Sequence, residues 1–369
     1  MPGEAGLVRM MAWSSLVGLL SGGAVTCVVL WMGRSLAHRI GLVDHPDTRK
    51  VHIGDKPLIG GAGMFLGLLV AFFLLDLDIP ELHHLRLAIA ILVLVGVLDD
   101  YLNLSVALRF VVHITVAVIM AWWGGVGIYY LGDLFALGPI YLGNWMVIFT
   151  VICVVGVINA VNMADGLDGL GGGLGLVTFT LIVLLSLEAG LWNVAVLAAA
   201  FIVVLLPFLG FNVRWFGRPA SLFMGNAGST FLGFSLAWFM VYLTQGDHHV
   251  LRPVTAIWLI AVPLIDMFSV LLRRILQKRP PFAPDRKHFH HLLLHLGWSV
   301  NRTMLFLTGL SLLCGVVGIL GERLNIPEYV MFAGILMVFF GYFWGSTRLW
   351  SVAPAHSGSA EAIEPKVGV

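Results

Sequence analysis

Long apolar runs separated by short polar segments fill most of this chain. A transmembrane helix needs about 20 mostly apolar residues, and in lipid an open chain must be helical to satisfy its backbone N–H and C=O groups. We find eleven such runs, some short or interrupted: 12–33, 60–76, 85–98, 106–124, 145–160, 171–187, 192–210, 222–244, 253–272, 303–321 and 327–345. The pattern predicts an all-α polytopic membrane protein with about 11 transmembrane helices.

Composition agrees with this pattern. Of the 369 residues, 59% are hydrophobic and 11% charged, whereas soluble domains average about 45–50% and 25%. The net charge of +1 argues against a nucleic-acid partner and leaves the lipid bilayer as the expected surroundings. We predict one integral-membrane domain over residues 1–350 and a disordered cytosolic tail over 351–369, which is rich in Ala, Ser, Gly and Pro.

The distribution of positive charge predicts the orientation in the membrane. When alternate connections and the tail are assigned to one side, 16 of the 21 Lys and Arg residues fall there, and Arg109 just inside the fourth span makes 17. Positive residues are retained on the cytosolic side. The N-terminus is therefore predicted outside and the C-terminus in the cytosol, as an odd number of spans requires.

Carboxylates and amides gather at the predicted cytosolic ends of the spans. An Asp near the centre of a membrane helix costs about 2.5–3.5 kcal/mol, so each one needs a reason. Asp99 and Asp100 end the third span, and a solvated helix end would explain that pair alone. The fifth span ends with four polar residues at spacings of three, which predicts one polar stripe suited to a nucleotide or a metal diphosphate. These residues are Asn159, Asn162, Asp165 and Asp168.

Two loops on the same side add further candidates for binding phosphate. The first, residues 43–61, contains acidic, basic and turn-forming residues: Asp44, Arg49, Lys50 and His52. The second follows the ninth span, with Arg274 at the end of that span and Arg286, His288, His290 and His291 further along. Arg and Lys can hold phosphates, although a positive-inside anchor would also explain their charge. Zinc is an alternative ligand for the histidines, but an anionic phosphate suits this mixture of imidazoles and cations better.

Five segments in order resemble the polyprenyl-phosphate N-acetylhexosamine-1-phosphate transferase superfamily, nearest its WecA-type branch. They are residues 43–61, Leu98-Asp99-Asp100, residues 159–170, Phe223-Met-Gly-Asn-Ala-Gly-Ser229 and Pro284-Asp-Arg-Lys-His288-Phe-His-His291. The resemblance spans about residues 40 to 320. It implies transfer of GlcNAc-1-phosphate from UDP-GlcNAc to undecaprenyl phosphate at the cytosolic face of the bacterial inner membrane, with release of UMP and use of Mg²⁺ or Mn²⁺. Synthesis of O-antigen or a related surface polysaccharide is the implied pathway.

The resemblance also implies roles for individual residues. Asp99 and Asp100 are expected at the catalytic centre, with Asp99 as a candidate base or positioner of the lipid phosphate. Asp165 and Asp168 are expected near the nucleotide and the metal, to which Asp100 is a further candidate ligand. The residues whose positions match those linked to substrate binding are Asp44, Arg274 and His288, and His290 and His291 complete the last motif.

One position departs from the family pattern. Where the family has Met-Gly-Asp, with an Asp that can bind the metal, this chain has Asn226. An amide oxygen can ligate Mg²⁺ but carries no charge. Metal binding is therefore expected to be weaker, shifted to other carboxylates such as Asp266, or lost.

Other functions stay open at this point. Within the family, a transferase for UDP-MurNAc-pentapeptide or another N-acetylhexosamine is the main rival. An ion-coupled transporter would also place carboxylates in a helical bundle, although transporters usually hold them near the midplane, in repeated halves. A catalytically inactive scaffold would explain Asn226. A second copy of the chain is a candidate partner.

Overall fold

The computed structural model describes residues 4–45, 54–246, 249–280 and 287–352, and helices dominate these ranges. Their bounds are α1 (Glu4–Ile40), α2 (Gly60–Leu74), α3 (Leu82–Leu102), α4 (Val106–Val118), α5 (Met146–Ala164), α6 (Leu170–Glu188), α7 (Trp192–Asn212), α8 (Gly225–Thr244), α9 (Pro253–Leu259), α10 (Ala261–Leu276), α11 (Phe289–His295), α12 (Val300–Arg323) and α13 (Glu328–Val352). One π-helical turn, Ile119–Trp123, extends α4, and 3₁₀ turns occur at Gly143–Trp145 and Trp215–Gly217.

The protein is a polytopic helical membrane protein. In the described ranges, eight helical segments are long and apolar enough to cross a membrane, and a bent pair, α9 with α10, gives a ninth. These nine segments are fewer than the 11 transmembrane helices predicted. The difference is α2, which has only 15 residues, and α3, which is not among the eight. Large apolar side chains cover the outer surface, as lipid contact requires; Trp31, Phe73 and Met337 are examples.

Helix α8 forms the centre of the bundle. All its residues from Ala227 to Thr244 are buried, as expected for a helix that is apolar on every side. Neighbouring helices approach its backbone closely at glycines. A Cβ added at Gly96 of α3 would lie 2.3 Å from Cα of Ala227, and one added at Gly61 of α2 would lie 2.1 Å from N of Gly228. These contacts bring the C-terminal end of α3 to the start of α8.

The predicted ninth span, 253–272, is broken. Helices α9 and α10 meet at an angle of 85° around Ile260. Pro263 accounts for the break because proline lacks an N–H and its ring clashes with the carbonyl four residues earlier. That carbonyl, on Leu259, accepts a hydrogen bond of 3.3 Å from the hydroxyl of Thr178 instead.

The all-α prediction needs one small correction. Val43–Asp44 and Lys56–Pro57 form a two-stranded antiparallel sheet within the loop between α1 and α2. Helix α13 extends to Val352 and so includes the first two residues of the predicted tail, 351 and 352. The rest of the tail, 353–369, lies outside the described residues.

Candidate active site

The last turn of α3 places two carboxylates in different environments. Asp99 is buried; its Oδ1 accepts a hydrogen bond from the backbone N of Leu104 at 2.8 Å, and its Oδ2 lies 3.3 Å from Nη1 of Arg109. Asp100 faces the start of α8. Its two oxygens accept hydrogen bonds from the backbone N–H groups of Asn226 at 2.8 Å and Ala227 at 3.2 Å. The pair thus joins α3 to α4 and to α8.

Asn226 lies in the first turn of α8 and contacts α5. The side-chain nitrogen of Asn162 donates to Oδ1 of Asn226 at 3.0 Å and to the hydroxyl of Ser229 at 2.7 Å. Asn162, Asn226 and Asp100 therefore form one hydrogen-bonded row across three helices.

The polar stripe predicted for the end of the fifth span does not form. Helix α5 ends at Ala164, and the next helix starts only after Gly169, whose φ of 79° lies in the left-handed region. Glycine adopts such a conformation without strain, and it redirects the chain. The amide of Asn159 donates to the carbonyl of Val155 in its own helix at 2.7 Å. The four polar residues thus have separate roles.

Asp168 turns towards the connection that follows α7. Its Oδ2 lies 2.6 Å from Nε of Arg214 and accepts a hydrogen bond from the N of Ala220 at 3.3 Å. Nearby, Asn212 accepts from the N of Gly169 at 2.8 Å and donates to the carbonyl of Leu222 at 3.0 Å. This carboxylate is therefore engaged in holding two segments of the chain together.

Asp165 is the carboxylate without such support. Among the described residues, no hydrogen bond or ion pair reaches its side chain. Burial, the charge of Asp100 and then the charge of Asp168 raise the pKa of Asp165 well above its usual range. The side chain of Asp165 occupies space left by the missing side chain of Gly171, because a Cβ at Gly171 would lie 2.4 Å from Oδ1 of Asp165. An uncompensated carboxylate beside others suits a cation or a proton.

The segment that carries His288, His290 and His291, which we call the histidine loop, is held by a buried carboxylate on α10. Oδ2 of Asp266 lies 2.9 Å from Nδ1 of His288, while its Oδ1 accepts from the N of Phe289 at 2.9 Å and from the hydroxyl of Tyr342 at 2.8 Å. The backbone hydrogen bond from Phe289 lies at the start of the short helix α11. Asp266, proposed from the sequence as an alternative metal ligand, is thus occupied in supporting this loop.

His290 brings the loop to the turn after α5. A Cβ added at Gly166 would lie 2.7 Å from Nε2 of His290, so a larger residue there would displace that ring. His290 is buried; burial, then the neighbouring His291, lower its pKa to about 3. The ring is therefore neutral at pH 7, and among the described residues its Nε2 has no hydrogen-bond partner. His291 lies 4.2 Å from His290 between ring centroids.

The first predicted loop contacts the same end of the bundle. Asp44 pairs with Lys56 in the small sheet, and the carbonyl of Pro57 accepts from the N of Phe223 at 2.9 Å. Arg274 is buried in the last turn of α10. Four predicted residues lie outside the described ranges: Arg49, Lys50, His52 and Arg286. Parts of all five sequence segments thus meet at one end of the bundle.

Several residues in this region were not selected as site residues from the sequence. Arg109 and Arg214 pair with two of the predicted aspartates. Arg273 donates to the carbonyl of Lys287 at 3.1 Å, next to His288. Tyr342 reaches Asp266 from the last helix. In the sequence, each of these residues is a polar side chain near the end of an apolar segment. Such a side chain is costly in a membrane without a partner, which is the feature that could have identified it.

The residues present fit a magnesium ion held partly by its substrate. Mg²⁺ usually takes one or two carboxylates together with phosphate oxygens and water. In the described part of the chain no three His, Cys, Asp or Glu side chains form a metal cage. Asp165 and the nearby Asp100 supply two carboxylates, whereas Asp168 is already paired with Arg214.

Comparison with known proteins agrees with the ordered motifs. Residues 82–244 match the model of glycosyl transferase family 4. The chain is 41% identical over 333 residues to an undecaprenyl-phosphate alpha-N-acetylglucosaminyl 1-phosphate transferase of Haemophilus influenzae, covering 90% of this chain and 93% of that protein. The protein of the same name from Yersinia pestis is 39% identical, over 88% of this chain and 89% of that protein. The one from Escherichia coli K12 is 36% identical, over 89% of this chain and 90% of that protein. The chain belongs to this family of polyprenyl-phosphate sugar-1-phosphate transferases.

Proposed function

We propose that this protein transfers GlcNAc-1-phosphate from UDP-GlcNAc to undecaprenyl phosphate, releasing UMP. An oxygen of the lipid phosphate bonds to the β-phosphorus of the donor, and the bond from that phosphorus to the bridging oxygen of UMP breaks. One observation carries the proposal beyond family membership. Asp165 has no partner among the described residues, is repelled by Asp100 and Asp168, and precedes Gly166, against which His290 of the histidine loop lies.

Mg²⁺, with Mn²⁺ as a substitute, is the proposed cofactor. Asp100 and Asp165 would hold it, and it would neutralise charge on the donor's diphosphate. Asn226, in the hydrogen-bonded row with Asn162, would add a neutral oxygen next to this pair. The protein's own contribution is mainly positioning, since phosphoryl transfer needs little covalent help.

The remaining side chains divide into binding and orienting groups. His288, His291 and Arg274 are proposed to bind the diphosphate, because imidazoles and a guanidinium donate hydrogen bonds to phosphate oxygens. Asp99 is buried at the end of α3 and is held in a fixed orientation by Arg109. There it can accept a proton from the lipid phosphate or align that group for attack. Asp168 and Arg214 keep the turn after α5 in place.

We place this end of the bundle at the cytosolic face of the bacterial inner membrane. The relatives are bacterial proteins, and the charge count over the connections predicted from the sequence assigns the side that carries the motifs to the cytosol. Eleven membrane crossings, with α2, α3 and the bent α9–α10 pair each counted once, put the N-terminus outside and the C-terminus in the cytosol. UDP-sugars and the proposed product then share the cytosolic side.

The test is a two-donor assay with purified protein. UDP-GlcNAc or UDP-MurNAc-pentapeptide is mixed with undecaprenyl phosphate and Mg²⁺, and both UMP and a chloroform-soluble sugar lipid are measured, with EDTA as the control. We expect both products with UDP-GlcNAc only, and neither in EDTA. Products with UDP-MurNAc-pentapeptide alone would reassign the donor. Uptake of a solute into proteoliposomes without any lipid product would contradict the enzyme reading.

A further inference from the structure

The last helix contributes a partly buried tyrosine and a buried serine to the residues of α10 that hold the histidine loop. The hydroxyl of Tyr342 donates to Oδ1 of Asp266 at 2.8 Å, and the hydroxyl of Ser346 accepts from Nη2 of Arg273 at 2.9 Å. These residues are four apart, so they lie on one face of α13. Only 17% of the most apolar stretch of α13 is buried inside the protein, yet Ser346 is 3% exposed. Polar groups on a helix that mostly faces lipid need a reason.

The two contacts converge on the residues that flank and hold His288. Asp266, which binds Tyr342, also binds Nδ1 of His288. Arg273, which binds Ser346, also donates to the carbonyl of Lys287 at 3.1 Å. The side chain of His288 and the backbone just before it are therefore both fixed through α13.

We propose that Tyr342, acting through Asp266, is a positioning residue for His288 in the transferase reaction, and that Ser346 supports the same loop through Arg273. This inference rests on the proposed function. With Nδ1 directed at a carboxylate, the proton of a neutral ring stays on that nitrogen, and Nε2 is left for the substrate. A histidine oriented by a buried carboxylate is a recurrent arrangement in catalysis.

The orientation extends to the turn that carries Asp165. The rings of His288 and His290 are nearly parallel, 4° apart with centroids 5.8 Å apart, and Nε2 of His290 lies against Gly166. Rotation of the His288 ring would therefore disturb its neighbour at that turn. Tyr342 thus acts at a distance through three side chains.

Packing alone does not require the hydroxyl of Tyr342. Its ring lies 4.7 Å from that of Phe289, a contact that phenylalanine would also make. Tyr342→Phe therefore keeps the ring contact and removes the hydroxyl's hydrogen bonds to Asp266 and to Ser346. Tyr329→Phe is the matched control, because Tyr329 lies at the opposite end of the same helix and is 41% exposed.

The experiment compares these variants in turnover and in a double-mutant cycle with His288→Ala. Loss of one hydrogen bond to a charged group predicts that Tyr342→Phe lowers kcat about tenfold, with KM for UDP-GlcNAc changed less than about twofold. In the His288→Ala background the same change should have less than about a twofold effect, because its target is gone. Ser346→Ala should lower kcat in the same direction and serves if Tyr342→Phe does not fold.

A second readout does not depend on turnover. In protein labelled with ¹⁵N at histidine, and with His288→Gln to assign the signal, Tyr342→Phe should shift the His288 resonance and Tyr329→Phe should not. Failure of wild-type protein to release UMP would count against the proposed function, while this shift would still test the role of Tyr342. An unshifted His288 signal, or an equal loss of activity with and without His288, would overturn the proposal.

Discussion

The two ends of the helical bundle treat their charges differently. Helix α12 runs from one end to the other. Asn301, near its start, donates to the carbonyl of Arg214 at the end that carries the motifs. Glu322 lies near its last residue, at the opposite end, which we call the far end. At that far end, Glu322 lies 3.1 Å from Nε of Arg252 and accepts from the hydroxyl of Thr255 at 2.5 Å. Glu328 accepts a hydrogen bond from the backbone N of Asp133.

The motif-bearing end has one buried carboxylate that lacks a partner among the described residues. Asp99 and Asp168 each pair with an arginine, and Asp266 accepts hydrogen bonds from Phe289 and Tyr342. Asp165 has no such partner among the described residues. The charges at the far end therefore hold loops together, whereas at the motif end Asp165 is available to bind a cation.

The largest expected effect is on Asp165. We expect Asp165→Asn to lower the rate of UMP release at least about 100-fold, because it removes a carboxylate proposed to hold the cation. The midpoint of thermal unfolding should stay or rise, since a raised pKa shows that the charged form is disfavoured in the folded protein. Loss of folded protein in proportion to activity would make Asp165 a structural residue.

A charge added at position 226 should sharpen the contrast. Asn226→Asp places another carboxylate beside Asp100, and we expect Mg²⁺ to bind about tenfold more tightly, as one extra charged ligand allows. The measurement is a titration of UMP release against Mg²⁺ for both proteins. Superimposed curves would show that position 226 is not a ligand, and activity absent from both would favour an inactive scaffold.

At the far end, Glu322→Gln should affect stability alone. It removes the ion pair with Arg252. The side chain of Arg252 is 26% exposed and that of Glu322 is 22% exposed. We expect the midpoint of thermal unfolding in detergent to fall by a few degrees, from a loss of about 1–3 kcal/mol. The rate of UMP release per folded molecule should change less than about twofold. A large loss of rate with normal folding would remove the distinction between the two ends.

The smallest expected effect is the pH dependence due to His290. Its pKa of about 3 in the folded protein lies below that of an unfolded histidine, about 6.5. The unfolded chain therefore binds more protons, so stability falls as pH drops from about 6.5 towards 3 and is unaffected above that range. Between pH 7 and 5, the thermal midpoint of wild type should fall more than that of His290→Gln. Equal falls would contradict the neutral, buried state of His290.

The helical membrane fold and the location of the motifs at one end could be predicted from the sequence. Apolar runs, and polar residues that are costly in a membrane, can be recognised without knowing which residues are in contact. Sequence reasoning missed local geometry. The spacing of residues 159–168 predicts one polar stripe, but α5 ends at Ala164 and Gly169, with φ 79°, marks the start of a new helix. Pro263 was a visible signal for the bend between α9 and α10.

Pairings over long separations could not be predicted in the same way. Tyr342 and Asp266 are 76 residues apart, and Asp168 and Arg214 are 46 apart. Which polar group meets which depends on how the helices pack, and one sequence does not specify that. The catalytic and binding roles assigned to the aspartates and histidines stay predictions.

The central claim is that the end of the bundle with the uncompensated carboxylate of Asp165 binds a divalent cation together with the sugar nucleotide. Manganese binding, followed by the electron paramagnetic resonance of free Mn²⁺, tests it without turnover. With UDP-GlcNAc present, wild type and Glu322→Gln should bind Mn²⁺ alike, and Asp165→Asn should bind it much more weakly. Equal binding by all three proteins would contradict the assignment of Asp165 to the metal and the contrast between the two ends.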